Sequence, residues 1–282
     1  DAIALATKIL ETEPAEAPIH KVSGELDETE TTWTFRSETE DPPVALHPSL
    51  VSTPLDSEHF TPKVGGLAWL PDGRLAVATW DRDGAVFAVE GWRGPSENVK
   101  VTRIAEGLHE PLGLAVAEGA LYVMQKQEIT QLIDHDGDDW VDEYRTLTND
   151  WRVTSNFHEF GFGLVSKDRH LYGALSVCVL SGGKSCRDQT PDRGKVFRAS
   201  IASGDIEIIA SGFRTPNGLA LSPSGELFVA DNQGDWLPAS KIIHIREDAH
   251  YGWRAPGETR NLGPVTPPSL WLPQNEIGNS PT

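Results

Sequence analysis

Four polar residues precede the Gly-Leu pairs of four related segments, with the same spacing at His109 and Arg214 and a spacing that differs by one at Lys63. Two segments align without gaps, Gly107-Leu-His-Glu-Pro-Leu-Gly-Leu and Gly212-Phe-Arg-Thr-Pro-Asn-Gly-Leu, and two looser copies surround the Gly-Leu pairs at Gly66 and Gly163. Cationic and imidazole side chains that converge on one point can bind an anionic or hydroxyl-rich molecule, and a histidine among them can act as a base. The candidate residues are Lys63, His109, His158 and Arg214.

An acidic loop, Asp134-His-Asp-Gly-Asp-Asp-Trp-Val-Asp, is a second candidate site. Its spacing lets four carboxylates and one carbonyl point at a single hard cation, and calcium suits such oxygen ligands. It is not an EF-hand, because Asp139 replaces the usual glycine and Arg145 replaces the last glutamate. We predict a structural calcium site, with a solvated acidic turn as the alternative. The predicted ligands are Asp134, Asp136, Asp138, Asp142 and the carbonyl oxygen of Trp140.

Regular spacing of the repeat indicates the elements that hold these residues. The Gly-Leu pairs begin at Gly66, Gly113, Gly163 and Gly218, so they are 47, 50 and 55 residues apart. Periods of this size are typical of β-propeller blades, each of which is a small sheet. If each pair opens the innermost strand of a blade, the four polar residues surround one mouth of the central channel. We therefore predict an all-β fold, a β-propeller with four clear blades in this chain.

Alternating apolar residues and turn signals support this assignment. A hairpin with its turn at Asp72-Gly73 recurs in the three later copies of the repeat, and outer strands follow each copy. The last segment, 271–282, has no strand pattern, so ring closure requires further blades, an N-terminal strand or a continuation of the chain. We assign the blades to 59–282.

Residues 1–58 differ in composition, since they contain thirteen Asp or Glu against three Lys or Arg. We interpret them as an acidic arm or linker with one strand at 31–37 and a short helix at 1–10. The chain begins at Asp1 without Met, which we interpret as a mature or trimmed product. No apolar run approaches the roughly 20 residues of a membrane-spanning helix. The formal net charge of −18 argues against a nucleic-acid partner and fits a secreted or periplasmic protein at least as well as a cytosolic one.

Two cysteines, Cys178 and Cys186, flank the turn-like stretch Val-Leu-Ser-Gly-Gly-Lys-Ser. The glycine pair allows a tight reversal, so we predict a disulfide rather than two unrelated thiols. A disulfide implies an oxidising compartment, which favours a periplasmic or secreted location. Among the nine Trp residues, Trp80 and Trp236 are candidate platforms for stacking sugars.

The fourth repeat also carries a family resemblance. The stretch Gly212-Phe-Arg-Thr-Pro-Asn-Gly-Leu, the later Asp231-Asn-Gln-Gly-Asp and the turn Tyr251-Gly-Trp resemble the soluble quinoprotein sugar dehydrogenases. These glucose, aldose and sorbosone dehydrogenases are six-bladed propellers that bind pyrroloquinoline quinone (PQQ). The chain is most similar to the divergent bacterial branch of membrane-bound or PVC-type dehydrogenases, which are often fused to cytochrome c domains.

This resemblance implies roles for individual residues. His158 matches the base that takes the proton of the sugar hydroxyl, and Arg214 matches an arginine that contacts the quinone. The carbonyls of Gly234 and Asp235 match the loop that holds calcium beneath the cofactor. Thr215 stands where the family has Asn, and later blades supply further cofactor contacts. From their places in the repeat, we also predict that Lys63 contacts the cofactor and that His109 is a catalytic residue.

Three functions remain open at this point. The leading hypothesis is a sugar dehydrogenase in which hydride passes to PQQ, with calcium as second cofactor and cytochrome c as electron acceptor. The second is a propeller polysaccharide lyase or other carbohydrate-active enzyme, in which Arg214 neutralises a uronate and His109 or His158 removes a proton. The third is a non-catalytic carbohydrate-binding or assembly module. Propellers host many functions, so the fold alone does not choose among them.

Overall fold

The computed structural model describes residues 60–93, 98–277 and 281, which belong to the compact unit Pro54–Thr282. The arm assigned to 1–58, with its strand at 31–37 and its helix at 1–10, lies outside the described residues. No helix in the described part of the chain is long and apolar enough to cross a membrane.

The described strands form four sheets that follow one another along the chain, except that the late strand β16 joins the third sheet. The first sheet contains β1 (Val64–Trp69), β2 (Leu75–Thr79), β3 (Val86–Glu90) and β4 (Lys100–Ala105). The second contains β5 (Leu114–Ala117), β6 (Ala120–Met124), β7 (Ile129–Ile133) and β8 (Glu143–Thr148). The third contains β9 (Gly161–Lys167), β10 (His170–Leu175), β11 (Lys195–Ser200), β12 (Ile206–Ser211) and the short β16 (Ala249–His250). The fourth contains β13 (Thr215–Leu221), β14 (Leu227–Asn232), β15 (Ala239–His244) and β17 (Leu270–Pro273), followed by helix α1 (Gln274–Ile277).

Apolar residues of neighbouring sheets pack against one another and form the core. Val86 and Ile104 of the first sheet share a cluster with Val123 of the second. Phe197 of the third sheet packs in the cluster that contains Met124 of the second, and equivalent residues join the third and fourth sheets. Each sheet therefore packs against the next one along the chain, which is the packing of propeller blades. The predicted all-β propeller with four blades in this chain is confirmed.

First strands of the four blades lie side by side around the centre. The backbone N–H of Gly163 in β9 donates to the carbonyl of Leu112, which precedes β5. A Cβ atom on Gly113 would lie 2.4 Å from the carbonyl oxygen of Gly163, and one on Gly66 would lie 2.8 Å from the backbone of Gly113. The Gly-Leu repeat thus has a packing reason, because only glycine lets adjacent inner strands approach this closely.

Antiparallel pairing decides which loops share an end of the blades. The segments that precede β1, β5, β9 and β13 lie at the same end as the β2–β3, β6–β7, β10–β11 and β14–β15 connections. We call this end the mouth. The acidic loop connects β7 to β8 and lies at the opposite end, where Arg74 of the β1–β2 hairpin forms a bidentate pair with Asp139 at 2.6 and 3.0 Å.

Strand β17 corrects the sequence analysis, which assigned no strand to 271–282. Leu270–Pro273 pairs with β15 and completes the fourth blade, with Trp271 opposite Lys241. The segment is short and contains proline, and proline is tolerated in an edge strand because one side of that strand needs no ladder hydrogen bonds.

A buried ion pair joins the two middle strands of the fourth blade. Lys241 of β15 and Asp231 of β14 are both fully buried, and Lys241 Nζ lies 3.0 Å from Asp231 Oδ2. The other carboxylate oxygen, Asp231 Oδ1, accepts the backbone N–H groups of Arg214 and Thr215 at 3.0 and 2.8 Å. This carboxylate therefore fixes the start of the inner strand β13 relative to β14.

Substitution Lys241→Met should strongly destabilise the protein, because it leaves the Asp231 carboxylate buried without its cation. We expect a loss of about 3–5 kcal/mol in the free energy of unfolding, measured by urea denaturation. Lys100→Met is the control, since it breaks an exposed pair with Glu90 and should leave the urea midpoint nearly unchanged. Equal effects of the two substitutions would contradict the proposed importance of the buried pair.

Candidate functional site

His158 lies at the mouth, three residues before β9, and its side chain is partly buried. Its Nδ1 lies 2.9 Å from the carbonyl oxygen of Val177. A carbonyl can only accept, so Nδ1 carries the proton and Nε2 keeps its lone pair. Nε2 lies 3.5 Å from the hydroxyl of Thr215, at the start of β13. Two blades thus meet at this imidazole nitrogen.

The environment of His158 favours the neutral ring. Burial lowers the pKa of His158 below its ordinary value, and the positive charge of Arg214 lowers it further, against the hydrogen bond to Val177. The ring is therefore a free base at neutral pH. A neutral histidine with one nitrogen fixed and the other unprotonated has the form required of a general base.

A group of aromatic rings begins beside the His158 ring. Phe160 lies 5.4 Å from the His158 ring and 5.9 Å from the ring of Trp80, which follows β2 and is 45% exposed. Phe162 continues the group towards the centre, 5.1 Å from Phe160. Aromatic faces of this kind bind the apolar faces of sugars or flat heterocycles.

The centre of the ring is mainly apolar, with one exception. A cavity of about 480 Å³ lies between the inner strands and is lined by glycine, leucine, valine and phenylalanine residues and by Asn217. The Asn217 side-chain oxygen is buried and accepts no hydrogen bond. Sequence reasoning missed Asn217, although the repeat contained a signal. The equivalent residues before the Gly-Leu pairs are Gly65, Leu112 and Phe162, so Asn217 is the polar member.

The sequence predicts that the Arg214 side chain contacts a ligand. In the structure this side chain is buried and bonded to the protein itself. Its Nε donates to Asp235 at 3.2 Å, Nη1 to the Gln233 carbonyl at 3.2 Å and Nη2 to the Gly183 carbonyl at 2.6 Å. The side chain is 8% exposed. Arg214 therefore ties the β10–β11 and β14–β15 connections to the start of β13.

The loop of Gly234 and Asp235 is shaped around this guanidinium. A Cβ on Gly234 would lie 2.3 Å from Arg214 Cζ, so glycine is required here. The Gly234 carbonyl accepts the Leu237 N–H at 3.0 Å. Burial alone would raise the pKa of Asp235, but hydrogen bonds from Ser185 and Trp253 and the charge of Arg214 hold it below its ordinary value.

His109 and Lys63 are exposed residues of the mouth end. His109 Nδ1 lies 3.0 Å from the Gln127 side chain, and the Lys63 carbonyl accepts the N–H of Trp80 at 2.7 Å. A chain of bonds links His109 to His158 indirectly. Lys126 donates its backbone N–H to His109 and its Nζ to the carbonyl of Asn156 at 2.8 Å.

Asn156 completes this connection and was not singled out from the sequence. Its Oδ1 accepts the His158 N–H at 2.9 Å, and its Nδ2 donates to the Val179 carbonyl at 2.9 Å. It thereby fixes the loop that carries His158 against the β10–β11 connection. No sequence pattern distinguishes Lys126 and Asn156 from other polar residues, and only the fold brings them between His109 and His158.

The predicted disulfide is present. Cys178 and Cys186 are bonded, with their Cα atoms 5.4 Å apart, and they close a loop in the β10–β11 connection at the mouth. The loop carries Gly183 and Ser185, which hold Arg214 and Asp235. The crosslink therefore restrains the part of the mouth that positions these two buried charges.

The acidic loop brings three of its predicted ligands together. Carboxylate oxygens of Asp134, Asp136 and Asp138 lie within 4.8 Å of one another, and all three residues are exposed. The fourth predicted carboxylate, Asp142, is not in this group, and its Oδ2 accepts the His135 backbone N–H at 2.8 Å. Asp139 adopts a left-handed backbone with φ of 72°, which is the strain expected where glycine is usual.

Comparisons with solved structures agree on the fold. Aldose sugar dehydrogenase of Streptomyces coelicolor, solved with PQQ bound, has a TM-score of 0.58 and 18% identity over 77% of this chain and 70% of its own. The soluble aldose sugar dehydrogenase of Escherichia coli in the apo form has a TM-score of 0.57 and 16% identity, over 75% and 72%. An oxidoreductase of Thermus thermophilus described as a glucose dehydrogenase has a TM-score of 0.55 and 20% identity, over 76% and 70%.

Sequence comparison gives a family without an activity. No curated protein matches the chain. One family profile, described as a domain of unknown function (DUF7133), matches residues 97–252, which is more than half of the sequence. The matched region runs from β4 to β16 and includes His158, Arg214 and the acidic loop. The chain therefore belongs to the DUF7133 family, and it has the propeller fold of the soluble sugar dehydrogenases.

Proposed function

We propose that this protein is a carbohydrate-oxidising dehydrogenase of the quinoprotein type, related to the PVC-type branch, in which His158 is the base. The observation that carries the proposal is the His158 ring, with Nδ1–H bonded to Val177 and an unprotonated Nε2 beside Thr215. A sugar hydroxyl that reaches Nε2 donates its proton there. The bond to Val177 keeps the ring in the tautomer that can accept it.

PQQ fits the aromatic part of the mouth. It is a flat quinone with carboxylates, and the half-exposed ring of Trp80, which packs edge-to-face with Phe160, suits its rings, while the Asn217 oxygen suits a hydroxyl of the substrate. Lys63 pairs with Trp80 through the backbone, and its exposed ammonium is the candidate contact for a carboxylate. When bound, PQQ supplies the acceptor for the two electrons that leave the sugar.

A second calcium beneath the cofactor fits less well. The loop that would hold it, at Gly234 and Asp235, is already pressed against the Arg214 guanidinium. A second cation there would be repelled by this buried positive charge. We therefore assign Arg214, Asp235 and Gly234 to positioning the mouth and derive no step through a calcium ion at this loop.

The same geometry argues against the lyase alternative. A lyase would need Arg214 to neutralise a uronate, but this guanidinium already donates to Asp235, Gln233 and Gly183. The experiment below tests the binding-module alternative.

The disulfide supports a periplasmic or secreted location, where cytochrome c is a suitable electron acceptor.

Reconstitution with PQQ and calcium should give a bound-quinone spectrum and dye reduction with aldoses. His158→Ala should lower kcat/KM about 10²–10⁴-fold with little loss of thermal stability, because the proton acceptor is lost. His170→Ala is the control, since His170 lies in the hairpin at the opposite end. If the unmodified protein binds glycans without turnover, the dehydrogenase proposal is replaced by a binding module. If it shows neither glycan binding nor turnover, a carbohydrate function is rejected.

Activity should persist below the ordinary histidine pKa of about 6.5. Burial and Arg214 lower the pKa of His158 in the folded protein, and the neutral ring is the active form. Activity is therefore full above this lowered pKa and falls as the pH drops through it. The acid limb of kcat/KM against pH measures it. An acid limb at or above about 6.5 would contradict a buried His158 base.

We also propose that the acidic loop binds one structural calcium through Asp134, Asp136 and Asp138, with the Trp140 carbonyl and Asp142 as further candidate ligands. Three exposed carboxylates within 4.8 Å support this, since their mutual repulsion falls when a cation binds. The loop contacts the first blade through Arg74 and Asp139, so an ordered loop would stabilise the contact between two blades.

Calcium should raise the melting temperature, and a chelator should lower it. The gain is about 2.7 kcal/mol when free calcium is about 100 times its dissociation constant. Asp136→Asn keeps the acceptor for the Asp138 N–H but removes one charge, and should abolish the calcium-dependent shift. Asp150→Asn, exposed and outside the loop, is the control. If neither calcium nor chelator changes the melting temperature of the unmodified protein, the proposed calcium site is wrong.

A further inference from the structure

A second cleft lies beside the mouth, outside the His158 site. It has a volume of about 580 Å³ and is enclosed by the disulfide loop, the β14–β15 connection and the segment after Trp253. We call it the basic cleft. Its lining includes Leu180, Lys184, Arg187, Trp236, Arg254 and Glu258.

Cations of the basic cleft are free of partners. Among the hydrogen bonds and ion pairs of the described residues, none involves the side chains of Lys184, Arg187 or Arg254, and all three are exposed. Carboxylates are abundant in a chain with a net charge of −18, and most other described arginines are paired with one. Three unpaired positive charges around one cleft form a site for an anion.

Both carboxylates of the cleft are already paired with an arginine of the protein. Glu258 is bonded by Arg260 at 2.5 and 2.9 Å, which lowers the pKa of Glu258 to about 2. Asp235 is held by Ser185, Trp253 and Arg214. The acids that line the cleft therefore do not cancel its three free cations, and the rest of the lining is mainly apolar.

Trp236 supplies the apolar contact. It is 59% exposed, the most exposed of the described tryptophans, and it lies in the turn that Gly234 and Leu237 close by two backbone bonds. An exposed indole next to unpaired cations suits a ring that has an apolar face and a negative substituent. A sugar ring with a carboxylate or sulfate has both features, whereas a simple inorganic anion uses only the cations.

The walls of the basic cleft are restrained before any ligand binds. Leu180 and Lys184 lie within the loop closed by Cys178 and Cys186, and Arg187 follows that disulfide directly. Arg187 also lies against Gly257, where a Cβ atom would be 3.3 Å from the Arg187 Nε. Restrained walls lower the entropy lost on binding.

We propose that the basic cleft binds a negatively charged glycan, with Trp236 stacking on one sugar ring and Arg187 and Arg254 contacting its anionic groups. Its position shares Ser185 and Asp235 with the loops of the mouth, so a glycan held here can extend towards His158. This extension rests on the proposed dehydrogenase function, and it makes anionic glycans the substrate class. Binding in the cleft itself does not require turnover.

Calorimetric titration of the full chain with tetragalacturonate tests the proposal, with the fully methyl-esterified tetrasaccharide as neutral ligand. We expect binding of the acid form that weakens with salt, and at least about tenfold weaker binding of the ester. A sulfated galactan tetrasaccharide tests whether sulfate replaces carboxylate, and binding of either anionic ligand supports the cleft. No binding of either, or equal binding of the ester, overturns it.

Variants locate the binding. Arg187→Gln combined with Arg254→Gln should weaken binding at least about tenfold, and Trp236→Ala should weaken it by a similar factor. Arg246→Gln is the control, because Arg246 is an exposed arginine at the opposite end of the fourth blade. All three side chains of the cleft are exposed, so melting temperatures should be unchanged. Unchanged affinity in the double variant overturns the assignment.

Titrations made without PQQ separate this inference from the proposed function. Binding of the acidic tetrasaccharide with no dye reduction in the reconstituted protein supports the basic cleft and rejects the dehydrogenase. Dye reduction with neutral aldoses and no binding of anionic glycans supports the dehydrogenase and rejects the cleft.

Discussion

The mouth of this propeller depends on one buried carboxylate. Asp231 accepts the backbone N–H groups of Arg214 and Thr215 with one oxygen and faces Lys241 with the other. A buried charge persists only when it is paired and hydrogen-bonded, so this carboxylate requires all three partners. Thr215 is thereby fixed opposite His158, and Arg214 is directed into the loops above it. The geometry of the candidate base thus depends on a residue that has no access to a ligand.

Positive charges of the fourth blade and the basic cleft fall into two groups with different roles. Arg214 and Lys241 are buried and fully engaged, so they hold loops and strands in place. Lys184, Arg187 and Arg254 are exposed and unpaired, so they are available to a partner from solution. Burial explains the division, because the cost of desolvation requires a buried cation to find acceptors, whereas a solvated one needs none. Arg214 adjoins both candidate sites, because Thr215 beside it contacts His158 and its partner Asp235 lines the cleft.

The disulfide loop connects these parts. Its backbone and side chains reach Arg214 through Gly183 and Asp235 through Ser185, and its outer surface forms a wall of the basic cleft. Asn156 holds the loop of His158 to Val179, one residue after Cys178. One crosslinked connection between β10 and β11 therefore supports the base, the buried guanidinium and the cleft together. Long connections of this kind are where propellers vary their function while the blades stay the same.

Local patterns were sufficient for the blades. The Gly-Leu repeat, the hairpin turns and the alternation of apolar residues predicted the inner strands, because strand pairing depends on neighbours in sequence and on a period of two. The spacing of Cys178 and Cys186 predicted their bond, and the acidic spacing predicted the grouping of Asp134, Asp136 and Asp138. Strand β17 was missed because an edge strand with proline has a weak local signal.

Side-chain partners could not be predicted in the same way. The repeat placed His158 and Arg214 at the same end of the blades, but it could not show that Arg214 donates to Gly183, Gln233 and Asp235, which are distant in sequence. Nor could it show that Asp142 turns to His135 or that Asn217 lies unbonded in the central cavity. Sequence by itself determined the blades and the end at which the polar residues lie, since these follow from local periodicity. Tertiary structure alone decided which charges are paired and which are free, because pairing depends on distances between loops of different blades.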